Sequence, residues 1–147
     1  MDHAQQPVLA FDTAFITGVD EIDRQHRVLI DLTNEAAGAL AGEPTPAQVR
    51  HLVQELLSYA IYHFRTEEEM MRRYGYSGDD AEAASLHVER HRGFAARVVA
   101  VQEALENHHP VNTGDLVDYL VSWIREHILG TDQKLAAFIL ARRKAGD

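Results

Sequence analysis

His63-Phe64-Arg65-Thr66-Glu67 sits in the middle of a long helical pattern. Residues four apart on a helix share a face and lie about 6 Å apart along its axis. His63 and Glu67 therefore point the same way, and Leu56, Ala60, Phe64 and Met71 on the same stripe make that way inward. An imidazole and a carboxylate buried without partners are costly. Partners are on offer elsewhere: His87 and His91 repeat the four-residue spacing, and His127 lies inside another apolar stripe. A shared metal would satisfy all of these groups at once.

Outward from that stretch, the pattern runs from Pro46 to about Tyr74. Thr45 caps its start, Pro46 suits the first helical position, Gln48 completes a capping box and Gly75 closes the end. Before it, Ile22, Leu29, Ile30, Leu32, Ala36, Ala37 and Leu40 mark a helix from Asp20 to about Leu40, with His26 on the same side and Gly42 and Pro44 beyond. Tyr76–Asp80 reads as a loop, rich in turn residues. A third helix follows, with Leu86, His87, His91, Phe94, Val98 and Leu105 inside, fraying at Asn107–Pro110. A fourth begins at Asn112 or Thr113 and runs unbroken to Ala145 or Gly146, with Leu116, Leu120, Trp123, Ile124, His127, Ile128, Leu135 and Phe138 inside. Residues 1–18 look like an extended arm over one end of the bundle, anchored by Val8, Leu9, Phe11 and Phe15. No stretch alternates like a strand. The expectation is all-α: an antiparallel up-down-up-down four-helix bundle over about 20–145, with an N-terminal extended arm, in one domain spanning 1–147.

Bulk properties narrow the function. The chain has 147 residues, 46% hydrophobic and 25% charged, an ordinary globular balance. It contains no cysteine, so any metal must be held by nitrogen and oxygen. A formal charge of -9 argues against nucleic acid or an anionic membrane as partner. No apolar run is long enough to span a bilayer, and the first residues lack the charged start and apolar core of a secretory signal. A cytoplasmic protein without membrane insertion is expected.

Each helix offers inward candidates: His26; His63 and Glu67; His87 and His91; His127 and Asp132. One histidine on an apolar face is usually a hydrogen-bonded core residue, but here all four helices agree. Five imidazoles and two carboxylates exceed the needs of one zinc, which takes three or four protein ligands. They suit two ions sharing carboxylates, with iron favoured over manganese or zinc. Asp132 fits least well, because five residues on an ideal helix turn it about 140° from His127. His51, His108 and His109 look solvent-exposed, and Met70 and Met71 look like core filling.

The set Asp23-Arg24-Gln25-His26, His63-Phe64-x-x-Glu67-Glu68, His87-x-x-x-His91 and Trp123-x-x-x-His127-Ile128-x-x-x-Asp132 resembles the hemerythrins, in their bacterial single-domain form. The resemblance implies a non-haem di-iron centre with an oxo or hydroxo bridge and reversible dioxygen binding. It assigns His87, His91 and His127 to the coordinatively full iron, His26 and His63 to the iron with an open site, and Glu67 and Asp132 to the bridges. Trp123, Ile124, Ile128 and Ile30 would line the oxygen pocket. Departures are a longer interval from Glu67 to His87, Ser77 after Tyr76, Phe11 in place of a tryptophan, and Gly130 inside the last helix.

The function so implied is oxygen storage, delivery or scavenging by a binding protein and not an enzyme, with weak peroxidase chemistry as a side property. The partners are dioxygen and an oxygen-consuming enzyme or a signalling protein. Two other classes compete. One is oxygen, redox or nitric-oxide sensing; the other is a di-iron oxidase or peroxidase. Ferritin-like oxidases use Glu-x-x-His pairs, and the only such spacing here, Glu106 to His109, lies at a helix end away from the stripe.

Overall fold

The computed structural model describes residues 8–146; the first seven residues of the expected arm, His3 among them, lie outside the described residues. In chain order come α1 (Asp20–Leu40), α2 (Pro46–Arg73), α3 (Tyr76–Asp79), α4 (Ala81–Glu106), α5 (Thr113–Glu126), a π turn (His127–Asp132) and α6 (Gln133–Ala145). The π turn joins α5 and α6 into one rod. That rod, α1, α2 and α4 form the antiparallel bundle, linked by short connections. Among the described residues there is no strand, and no helix is long and apolar enough to cross a membrane.

Local chemistry accounts for the helix ends. Thr45 accepts from the Gln48 N–H at 3.1 Å while the Gln48 side chain accepts from the Thr45 N–H at 2.8 Å, closing the expected capping box. Asp80 and Asn112 cap α4 and α5 in the same side-chain-to-backbone way. Gly75 ends α2 at φ +83°, a left-handed conformation that costs glycine nothing. The stretch after it is not the loop expected from its composition: Tyr76–Asp79 winds one further turn, because Tyr76 is buried against Phe138 and pulls the backbone in. This turn lies within the interval from Glu67 to His87.

The arm also takes a different course from that expected. It lies lengthwise along α1, antiparallel to it, instead of across a bundle end. The Leu9 N–H and C=O both pair with the Asn34 side chain at 2.8 Å, Arg27 stacks over Phe11, and Asp23 accepts from the Thr17 N–H, the Thr17 hydroxyl and the Gly18 N–H. Leu9 and Phe15 are buried, with a 3-10 turn (Thr13–Phe15) between arm and helix, and Phe11 is half-buried. Val8, expected as an anchor, is exposed because Leu9 takes the inward direction beside it. Leu86 is likewise exposed, since Ala84, His87 and His91 set the inner face of α4.

Two apolar clusters fill the bundle. The larger holds Leu29, Ile30, Ala60, Phe64, Phe94, Ile124 and Ile128; the smaller holds Val19, Ile22, Met70, Met71, Ala84, Leu135 and Ala136. Every long helix passes from one cluster to the other, and on each the crossing point is polar. His26 separates Ile22 from Leu29, Glu67 separates Phe64 from Met70, His87 and His91 separate Ala84 from Phe94, and His127 and Asp132 bracket the step from Ile128 to Leu135. A polar layer therefore crosses the core at one level.

Replacing Asn34 with Ala would leave the Leu9 N–H and C=O unpaired beside the core. A loss of about 1–3 kcal/mol is expected, read as a lower denaturant midpoint with unchanged helical content.

Candidate metal centre

The polar layer contains all seven residues singled out in the sequence, and each is at least 96% buried. α1 supplies His26, α2 supplies His63 and Glu67, α4 supplies His87 and His91, and the last rod supplies His127 and Asp132. Their donor atoms fall into two overlapping groups, each within 4.8 Å of one another. One is Glu67, His87, His91, His127 and Asp132; the other is His26, His63, Glu67 and Asp132. Both carboxylates belong to both groups. Asp132 Oδ2 is 2.6 Å from His26 Nε2 and 3.6 Å from His63 Nε2, while its Oδ1 is 3.0 Å from His87 Nε2 and 2.9 Å from His127 Nε2. Glu67 Oε1 lies 3.2, 3.3 and 3.6 Å from Nε2 of His63, His91 and His87.

The π turn brings Asp132 into this set. An ideal α-helix would have turned its side chain away from His127, as the sequence suggested. In a π turn the hydrogen bonds run i→i+5 and the winding is looser, so a step of five returns to nearly the same face. His127 and Asp132 are its first and last residues, which is why their side chains meet. A Cβ added at Gly130 within the turn would meet open space, so the glycine is not required there by crowding.

Much of this polarity has no hydrogen-bond partner: His63 Nε2, His87 Nε2, both Glu67 oxygens and Asp132 Oδ1 are buried and unpaired. His91 and His127 face each other through Nε2 at 3.0 Å. Acceptor atoms so buried and so aimed fit a cation between them, and a set of five imidazoles with two carboxylates fits first-row transition metals.

Without a metal, protons must do the neutralising. Burial opposes charge on His63, yet the Glu67 and Asp132 carboxylates outweigh it and raise its pKa to about 10. The same opposition lifts His127 to about 9, with Asp132 the main partner, and raises His87 as well. At His91 burial prevails over Glu67 and the pKa falls. Burial pushes both carboxylates up, but the surrounding imidazoles hold Glu67 and Asp132 well below their ordinary values.

Aromatic side chains fix the imidazole planes. Phe64 stacks on His91 with ring centres 4.0 Å apart, and Trp123 stacks on His127 at 4.4 Å. Outer hydrogen bonds fix others: His63 Nδ1 lies 2.7 Å from Gln25 Oε1, and His91 Nδ1 lies 2.8 Å from Glu68 Oε2. Gln25 carried no assigned role in the sequence. The signal was its place on the inner stripe of α1 with Ile22 and Leu29, where an amide needs a partner. A cleft of about 530 Å³, lined by His87, Arg90, Trp123, His127, Gly130 and Lys134 among others, reaches the outer edge of the three-histidine group. His51, His108 and His109 are exposed, and Met70 and Met71 are core, as expected.

The description "Hemerythrin HHE cation binding domain" is that of the family model matching residues 17–139. The chain belongs to the hemerythrin family. It is 27% identical to a bacteriohemerythrin of Clostridium acetobutylicum over 82% of this chain and 92% of that protein. A bacteriohemerythrin of Stenotrophomonas maltophilia is 30% identical over 81% of this chain and 73% of its own length. A hemerythrin-like protein of Naegleria gruberi is 29% identical, over 84% and 87%. A wild-type hemerythrin crystal structure superposes with a TM-score of 0.80 at 20% identity, covering 90% of this chain and 98% of that one, a likeness of fold.

For this hemerythrin domain, metal uptake has to displace the protons on His63 and His127. Below about 9 both imidazoles are protonated in the metal-free protein, so affinity should rise with pH up to that point and fall on acidification. Zinc titrations by calorimetry in buffers of different ionisation heat should report at least two protons released per chain near neutral pH. Heats that do not depend on the buffer would contradict the charge assignment.

Proposed function

We propose that the domain binds dioxygen reversibly at a non-haem di-iron centre, for oxygen storage, delivery or scavenging. The observation that carries this reading is the pair of donor groups with three and two imidazoles that hold both carboxylates in common. In this reading His87, His91 and His127 hold one iron, His26 and His63 hold the other, and Glu67 and Asp132 bridge them. The second set offers one imidazole fewer than the first, and two ferrous ions, if held there, would supply the reversible two-electron chemistry that dioxygen binding requires.

The chain's own contribution is rigid placement and exclusion of water. Ile30, one helical turn beyond His26, and Ile124 and Ile128, on either side of His127, are all at least 98% buried. We assign them to the wall of the oxygen pocket, where an apolar lining denies protons to the bound gas. Trp123 completes that wall in our reading, and its stack on His127 also anchors the three-histidine side. A donor set of five nitrogens and two carboxylates, against the carboxylate-rich sites of ferritin-like oxidases, favours reversible binding over turnover. The expected partners are dioxygen and an oxygen-consuming enzyme that draws on the store.

Optical spectra of the iron-loaded, reduced protein test this directly. A charge-transfer spectrum should appear on exposure to air and vanish on deoxygenation, over repeated cycles. Immediate irreversible oxidation would overturn the binding role in favour of an oxidase or redox sensor. Ile124→Ala should shorten the lifetime of the oxygenated form severalfold at unchanged iron content.

A further inference from the structure

We propose that Gln25 is the positioning residue that aims His63 at its metal. Its neutral amide also keeps that imidazole a weaker donor than His91, whose outer nitrogen rests on a carboxylate. The inference rests on the two-metal reading above.

A relay of hydrogen bonds fixes the direction of every proton. The Thr66 hydroxyl donates its one proton to the Tyr62 carbonyl, at 3.2 Å. Its oxygen is then left to accept, and it accepts from Gln25 Nε2 at 3.1 Å. With its nitrogen committed to Thr66, the amide can turn only Oε1 toward His63 Nδ1, at 2.7 Å. An amide oxygen cannot donate, so His63 Nδ1 must carry the hydrogen. His63 Nε2, facing Glu67 and Asp132, is thereby reserved for a metal. Gln25 and His63 are both buried, so water does not compete for the bond between them, while Thr66 at the far end of the relay is half-buried.

The other side of the centre has the same geometry and different chemistry. His91 Nδ1 donates to Glu68 Oε2 at 2.8 Å. A carboxylate partner draws the proton of an imidazole outward and raises its basicity at the metal, whereas an amide mainly orients the ring. The two metals thus differ in donor strength as well as in donor number. An ion held by His63 would on this account be the more electron-poor of the two, with the higher reduction potential.

Zinc-loaded protein, which is diamagnetic, allows histidine nitrogens to be followed by NMR. In the unaltered chain His63 should be bound through Nε2 and show a slowly exchanging Nδ1–H. Gln25→Leu should lose that slow exchange and weaken binding of one zinc equivalent by about 10–100-fold. Gln25→Glu should restore the affinity while lowering the midpoint potential of the iron-loaded protein, and Glu68→Gln should raise it. A purely packing role would leave the potential unmoved. Retention of the protected Nδ1–H in Gln25→Leu, or an unchanged potential in Gln25→Glu, would overturn the inference while leaving the two-metal reading standing. Absence of Nε2 ligation at His63 in the unaltered chain would overturn both.

Discussion

Two carboxylates, Glu67 and Asp132, sit in the core with no solvent contact and with most of their oxygens unpaired. Removing an anion from water costs several kcal/mol even after relaxation, so this pair dictates what surrounds it. Five imidazoles gather within reach, and in the absence of metal the raised pKa values of His63, His87 and His127 mark the protons that balance the carboxylates. Dications would balance the same charge more completely and would satisfy the acceptor atoms that protons leave unpaired. A metal bound there would couple to folding, because it would also relieve the cost of burying these carboxylates.

That constraint explains features that look unrelated. The core is divided into two apolar clusters because each helix must give up about one turn to the polar layer. Phe64 and Trp123 stack flat on imidazoles because ring planes, and hence lone pairs, must be held while they face charge. The last rod surrenders regular α winding over His127–Asp132, so that two donor side chains five residues apart meet the same space. On the outside, the arm seals the flank of α1 through Leu9, Phe15 and the Asn34 pairing. Helix lengths, stacks and arm together serve the dryness and rigidity of one layer.

Much of this was legible in the residues. The limits of α1, the capping box at Thr45 and Gln48 and the closing Gly75 follow from local rules that tertiary packing did not override. That these seven polar residues converge in the core was legible because period 3.6 puts polar groups on apolar stripes, where they stand out. The π turn was not, since no composition rule distinguishes i→i+5 from i→i+4 winding; only the misfit of Asp132 on an ideal helix hinted at it. Tyr76–Asp79 misled because Ser77, Gly78 and two aspartates favour turns, while burial of Tyr76 decided the outcome. Val8 misled because successive residues of the extended arm point opposite ways and Leu9 took the inward one, and Leu86 because Ala84, His87 and His91 set the inner face of α4. The course of the arm depended on one long-range pairing, Leu9 with Asn34, that no periodicity encodes.

The claim on which all else rests is that two metals share Glu67 and Asp132. A crystal of the iron-loaded protein, measured at the iron absorption edge, addresses it in one experiment. The account predicts two anomalous peaks about 3.5–4 Å apart, both touching both carboxylates, one with three imidazoles and the other with His26 and His63. A single peak, or two peaks with no carboxylate in common, would contradict it.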